Sequence, residues 1–301
     1  MRVLITGCGY VGLPLGAALV RQGHTVVGLR RSAGAVEALR AAGLEPCQAD
    51  LTDPASLAAL SADFDWVVNC VAASGGGPED YRRTYLEGTR HLLAWLAARP
   101  PARFIYTSST GVYGQTDGST VTEASPTPAA TPTAQVLIET EQLLLAAARE
   151  RGFPAIILRL AGIYGPGRGY WLKQFLAGEA RMEGDGSRVL NMIHRDDVVG
   201  AMLAALERGR PGTVYNVTDD APVTQRELFA WLARVLNQPL PLSAPVELSG
   251  ARRRGLTSKR VSNHRLRTEL GYQLRYPTFR EGFRAELPRG IANTGIGAPA
   301  W

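Results

Sequence analysis

Long apolar runs are missing from this chain of 301 residues, and with them any candidate for a transmembrane helix. Cysteine is scarce: Cys8, Cys47 and Cys70 lie far apart, and two of them end apolar runs as small core residues do. The four histidines show no metal-ligand spacing, so no metal site is expected. Lysine is nearly absent, at Lys173 and Lys259 only. The chain enters an apolar strand at once, so no secretory signal is expected. Together these absences predict reduced thiols and a cytoplasmic protein that does not engage a membrane.

Acidic charge is also short, but only toward the C-terminal end. The net charge is +6, yet 11 of the 33 basic residues and only 3 of the 27 acidic ones fall from Ala251 onward. The excess centres on Arg252-Arg253-Arg254 and Lys259-Arg260. No nucleic-acid recognition signature accompanies it. A site for a phosphorylated small molecule fits better, and a solvated basic face fits about as well.

What is present begins at Val3. An apolar run stops at Gly7 and a helical pattern starts at Val11, with Gly7, Cys8, Gly9, Tyr10, Val11 and Gly12 in G-x-G-x-x-G spacing between them. Gly7 permits the tight turn, Gly9 lets the backbone approach a pyrophosphate, and Gly12 lets helix and strand touch. The amides at the helix start would hold the phosphates. A second strand follows from Thr25 to Leu29, which supplies the βαβ context that the motif requires.

Further on, apolar runs alternate with helical segments. Strands are expected at Glu45–Ala49, Trp66–Val71, Phe104–Thr107, Ala155–Leu160 and Thr213–Val217. Helices are expected at about Glu79–Ala98 and Ala134–Glu150, with shorter ones at Trp171–Gly178, Asp196–Arg208 and Gln225–Leu236. The fold class is therefore α/β, a Rossmann-type doubly wound parallel sheet with a smaller C-terminal substrate lobe. Residues 1–164 form the dinucleotide-binding core, completed by about 191–218. Residues 165–190 and 219–287 form the lobe, and 288–301 a tail.

Strand two ends in Arg30-Arg31-Ser32, with no carboxylate for a ribose 2′-hydroxyl. Two guanidiniums and a hydroxyl suit a 2′-phosphate, so NADP is favoured over NAD. Asp50 and Leu51 would flank the adenine, and Val71, Ala72 and Ala73 would pass beneath the ribose.

Several blocks together resemble the extended short-chain dehydrogenases/reductases of the NAD-dependent epimerase/dehydratase family. They are Thr6–Gly12, Asp50-Leu51, Thr107–Gly114, Arg159–Gly167 and Ile193–Val198, in family order across nearly the whole chain. The glycine spacing is one residue shorter than the family's usual T-G-x-x-G-x-x-G. The resemblance implies Thr107, Ser108 and Leu160 at the cofactor and Ser109 as the hydroxyl that positions a substrate oxygen. It also implies a tyrosine, with a lysine four residues on, opening the helix after Pro132. A phenol needs such a cation to act as a base near neutrality.

Here Thr133 stands for that tyrosine and Leu137 for that lysine. The residues four before Lys173 and Lys259 are both glycine, so no Tyr-x-x-x-Lys exists in the chain. This resembles an atypical branch that lacks the dyad. Tyr113 and Tyr164 are the remaining candidate acids, although loop packing explains both more simply.

On the substrate side the resemblance points to Arg168, Tyr170, Asn191, His194, Arg195, Lys259 and Arg260, with Arg forks suited to diphosphate oxygens. Asp196 is read as a helix N-cap. Leu92, Leu93, Trp95, Leu96 and Leu143–Leu145 permit a homodimer through two helices, or equally a place in the core. The expected function is an NAD(P)-binding oxidoreductase or epimerase-like enzyme acting on a nucleotide sugar or another phosphorylated or carbonyl metabolite. The alternative is a catalytically inactive NAD(P)-binding redox sensor or interaction protein.

Overall fold

The computed structural model describes residues 1–244 and 257–287. The basic run Arg252–Arg254 and the tail 288–301 lie outside the described residues. Seven strands form one parallel sheet: β1 (Arg2–Thr6), β2 (Thr25–Arg30), β3 (Glu45–Gln48), β4 (Trp66–Asn69), β5 (Arg103–Ser109), β6 (Ala155–Leu160) and β7 (Thr213–Val217). Their order across the sheet is β3-β2-β1-β4-β5-β6-β7. Register is set by pairs such as Val3↔Val26, Val3↔Trp66 and Ile105↔Ile156.

The strands read as near-continuous apolar runs because helices cover both faces. Alternate side chains then serve different cores. Val3, Ile5, Ile105, Ile156 and Leu158 face one cluster, with Leu15 and Met202 from covering helices. Leu4, Val67, Phe104, Tyr106 and Ile157 face the other, with Leu57, Leu92 and Leu144. Leu92, Leu93, Leu96 and Leu144 are thus core residues, which removes most of the apolar surface that had permitted a dimer.

The chain reverses direction across the sheet between β1 and β4, and that switch point opens the cleft beyond the strand ends. A third core lies over it. Leu172 and Phe175 from the helix Tyr170–Leu176 pack with Phe229 and Trp231 from Gln225–Leu236 and Phe283 from Phe279–Glu286. Two of these helices start in capping boxes, Thr224 with Glu227 and Thr278 with Glu281, which hold their first turns.

Two expectations are corrected. The helix expected over Glu79–Ala98 ends at Trp95, and it is interrupted over Arg82–Glu87 by a wider π-type turn. The N-cap of the helix Arg195–Arg208 is His194, whose ring accepts from the Asp196 amide at 3.1 Å. Asp196 sits in the first turn instead. An imidazole nitrogen can cap because, like a carboxylate, it offers a lone pair to an orphan amide.

Candidate functional site: a cleft beyond the sheet edge

A cleft of about 1330 Å³ runs along the C-terminal ends of the strands and under the third core. Its first half is the glycine loop. Gly7 has φ +82°, and a Cβ there would strike the Val71 backbone and the Cys70 carbonyl at 2.6 Å. A Cβ on Gly12 would strike the Gly7 carbonyl at 2.7 Å, so helix and strand touch here. Gly9 is different: its nearest neighbour would be the Arg30 guanidinium at 3.6 Å, and it faces the cleft. The helix Gly12–Arg21 has no side-chain cap; Leu13 and Leu15 already donate to the Gly9 and Val11 carbonyls and Pro14 has no N–H, so the amides left for a ligand are those of Tyr10, Val11 and Gly12 at its very start. Donor set and cradle both fit a dinucleotide pyrophosphate.

Arg30 does more than wait for a phosphate. Its Nη1 donates to the Cys8 carbonyl at 2.7 Å and braces the glycine loop. Arg31 and Ser32 are exposed on the cleft rim beside it. Asp50 is tied into its own turn, accepting from the Thr52 amide and hydroxyl at 2.9 and 2.8 Å. Leu51, Val71, Ala72, Thr107, Ser108 and Leu160 also line the cleft. Cys8 turns its side chain inward, where its thiol donates to the Ile5 carbonyl and burial pushes its pKa up to about 12. The Ala73 amide donates to the Tyr85 hydroxyl at 3.2 Å.

In the middle of the cleft stand Ser109, Thr133 and Leu137. Ser109 is half-buried, and its hydroxyl accepts from the Gly111 amide at 3.0 Å. Thr131 caps the helix Pro132–Arg151 through the Ala134 amide and lies 3.0 Å from the Thr133 hydroxyl. This keeps Thr133 at the cleft without giving it a cation. Tyr113 is not at the cleft. It is fully buried, donates to Asn216 Oδ1 (2.9 Å) and accepts from Arg159 (2.7 Å). Burial raises its pKa. Tyr164 lines the cleft with its ring, but its hydroxyl is packed against Gly282 and burial raises its pKa as well.

Beneath Ser108 lies a network that sequence reasoning missed. Glu141 receives Arg159 Nε and Nη2, at 3.1 and 2.6 Å, and the Ser108 hydroxyl at 2.5 Å. Both charged side chains are almost wholly buried. The signal was an arginine inside the otherwise apolar strand Ala155–Leu160.

At the far end, Arg168, Tyr170, Asn191 and Lys259 line the cleft as expected, joined by Trp171, Lys173, Arg188 and Thr257. Lys259 is 5 % exposed. Its ammonium donates to the Tyr113 carbonyl (2.7 Å) and to Thr257 Oγ1 (2.8 Å), and it has no carboxylate partner among its described bonds. Burial, helped by Arg188, lowers its pKa to about 8. Asn191 fixes this segment, donating to the Lys259 carbonyl and accepting from the Val261 amide.

Three expected contacts point elsewhere. His194 binds Glu286 at 3.2 Å and caps its helix. Arg195 pairs with Asp196 and lies over the Tyr10 ring. Arg260 donates to the Gly118 carbonyl at the surface. Among the described residues no His/Cys/Asp/Glu group could hold a metal ion, and no helix is long and apolar enough to cross a membrane.

This sheet order, glycine loop and cleft define a Rossmann-type dinucleotide-binding fold. The model of the NAD dependent epimerase/dehydratase family matches residues 3–218, and the chain belongs to that family. Protein YeeZ of Escherichia coli K12 is 33% identical over 92% of this chain and 96% of its own. A 3-diazoavenalumate denitrifying reductase from Streptomyces sp. is 32% identical, over 95% and 100%. A solved structure of a functionally unknown conserved protein from Silicibacter pomeroyi superposes with TM-score 0.79 at 32% identity, covering 94% and 97%. DesIV, a dTDP-glucose 4,6-dehydratase from Streptomyces venezuelae solved with NAD bound, shares the fold at TM-score 0.81 and 24% identity, over 95% of each chain. The protein is an enzyme of the NAD-dependent epimerase/dehydratase or reductase type.

Proposed function

We propose that this enzyme uses NADP in preference to NAD and acts on an anionic small molecule, a nucleotide sugar or another phosphorylated or carbonyl metabolite. The observation that carries the reading is the rim of the cofactor half. Arg31 and Ser32 stand exposed at the end of β2, with Arg30 braced behind them and no carboxylate in this stretch. When bound, the nicotinamide would supply or accept hydride. Gly7, Gly9 and the uncapped helix start would hold its pyrophosphate, and Arg31 with Ser32 the 2′-phosphate.

On the substrate side, Lys259 and Arg168 present positive charge to the cleft, Arg188 reaches it paired with Glu183 at 2.9 Å, and Trp171 and Tyr170 form flat apolar walls. Such a lining suits a phosphate or carboxylate attached to a planar or sugar-like body. Residues 165–190 and 219–287 act as the substrate lobe in this reading. The three free cysteines are compatible with a reducing cytoplasm.

A redox sensor without turnover remains the rival, favoured by Thr133 and Leu137 where a phenol and an ammonium would serve catalysis. Calorimetric titration with NADPH and NADH, on wild type and Arg31→Ala, tests the cofactor reading. Tight NADPH binding that weakens on losing Arg31 is the expected result. Equal or tighter NADH binding would refute it.

A further inference from the structure

Besides Tyr10, Tyr164 and Tyr170, the cleft contains two phenols from a different helix. Tyr81, Thr84 and Tyr85 all line it, facing the half of the cleft that holds Thr133 and Leu137. Tyr81 and Tyr85 meet edge to face at 4.9 Å, and both pack against the small cluster that contains Leu137 and Ile138. They sit at the one place where the helix after β4 widens into a π turn, Arg82–Glu87. Such turns shift side chains relative to a regular helix and recur at functional sites.

Tyr85 is tied to the cofactor half. Its hydroxyl accepts from the amide of Ala73, in the loop that follows β4 past Val71 and Ala72. That bond uses a lone pair and leaves the phenolic proton free to be donated.

The charges around Tyr85 decide what it can do. On its own helix Asp80 faces it, holding the Gly76 amide at 3.3 Å and Arg83 at 3.2 Å. Arg82 is turned to Glu139 on the helix Pro132–Arg151. From the sheet comes Tyr106 and, behind it from the helix Pro132–Arg151, Glu141, which Arg159 neutralises. No unpaired cation acts on Tyr85 among the described residues, and burial raises its pKa. The phenol therefore rests protonated, unlike a phenol set beside a lysine ammonium.

We propose that Tyr85 takes the place of the missing tyrosine as proton donor, and that the enzyme is therefore a reductase of carbonyl-type acceptors. The proposal rests on the cofactor reading given above. The carbonyl carbon receives the hydride from the reduced nicotinamide, and with it two electrons. The carbonyl oxygen takes the Tyr85 proton, the C=O π bond becomes a C–H and an O–H, and water returns a proton to the phenolate. An enzyme that starts from an alcohol needs the phenolate at rest, and at neutral pH Tyr85 does not offer it.

The test uses the full chain and three probes: NADPH, 2′-phospho-ADP-ribose (which lacks the nicotinamide) and 9,10-phenanthrenequinone as acceptor. Wild type is expected to oxidise NADPH with the quinone and to slow in deuterium oxide. Tyr85→Phe is expected to bind 2′-phospho-ADP-ribose as wild type does, which shows an intact fold. It should reduce the quinone about 100-fold more slowly and lose the solvent isotope effect. Tyr81→Phe, which keeps the ring and removes the other hydroxyl, should stay near wild type.

A wild-type rate and isotope effect in Tyr85→Phe would overturn the proposal, as would the defect appearing in Tyr81→Phe instead. A wild-type protein that binds NADPH without reducing the quinone would also overturn it. Failure of wild type to bind either nucleotide would instead strike the cofactor reading, and the proposal with it.

Discussion

Two buried cations, Arg159 and Lys259, differ in what surrounds them. Arg159 meets Glu141 through two nitrogens, gives a third donor to the Tyr113 hydroxyl, and stacks 4.9 Å over the Tyr113 ring. Its charge is answered inside the protein, and its pKa rises although burial opposes this. Among the described residues Lys259 has a carbonyl and a hydroxyl but no carboxylate, and its pKa falls to about 8 from 10.5. That difference corresponds to a cost on the order of 3 kcal/mol for keeping the ammonium charged at neutral pH. An answered charge is architecture. An unanswered charge at the wall of a cleft is a group in want of a ligand.

The largest effect should come from breaking the answered pair. Arg159→Ala leaves Glu141 buried without its partner, and a loss of about 3–5 kcal/mol is expected. Urea denaturation of the two proteins measures it. Replacing both, Arg159→Met with Glu141→Leu, removes both charges and should recover most of that loss. If the single substitution is silent, the network is not what ties β6 to the helix Pro132–Arg151.

Lys259→Met should behave in the opposite way. Stability stays level or rises, because a charged group is no longer held out of water. Affinity for an anion probe such as sulfate should fall about tenfold, as loss of one charge-assisted contact implies. A marked loss of stability without a change in sulfate binding would make Lys259 a structural residue like Arg159.

The same contrast has a pH signature. Lys259 is charged below about pH 8 and neutral above it. Sulfate does not change its own charge between pH 7 and 9, so its affinity should drop about tenfold over that range as the ammonium empties. The Lys259→Met profile should be flat. The stability sign is opposite. A lysine whose folded pKa lies below its unfolded value leaves the unfolded chain holding more protons between about pH 8 and 10.5. Over that window this group makes the fold more stable as pH rises.

Legibility in the sequence divides along the same line. The sheet could be read because each strand is an apolar run bounded by turn residues, and Ala155–Leu160, Thr213–Val217 and Gln225–Leu236 fall at the expected bounds. The glycine loop could be read because each glycine has its own steric reason, as the close approaches at Gly7 and Gly12 bear out. The wall of the cleft was less legible. Arg188, Trp171 and Tyr85 reach it from segments with no motif, brought together by the packing of the third core and by the π turn. His194 and Arg195 were expected there because their loop faces the cleft, yet capping and pairing with Asp196 use them locally. Local partners outbid a distant ligand whenever both are within reach, and spacing in the sequence does not reveal them.

The smallest expected effect separates Arg30 from Arg31, which look equivalent in the sequence. Arg30 is half-buried and spends a donor on the Cys8 carbonyl, so it shapes the loop that would meet the pyrophosphate common to both dinucleotides. Arg31 is exposed, and its described bond is made by its backbone carbonyl, which accepts from Gln48. Its guanidinium is free to turn toward a 2′-phosphate. Arg30→Ala should therefore weaken NADPH and NADH together. Arg31→Ala should weaken NADPH by about tenfold, the value of one charge-assisted contact at an exposed rim, and leave NADH nearly unchanged. Parallel calorimetric titrations read both ratios directly. If Arg30→Ala changes only NADPH, the brace to Cys8 is incidental and the two arginines share one task after all.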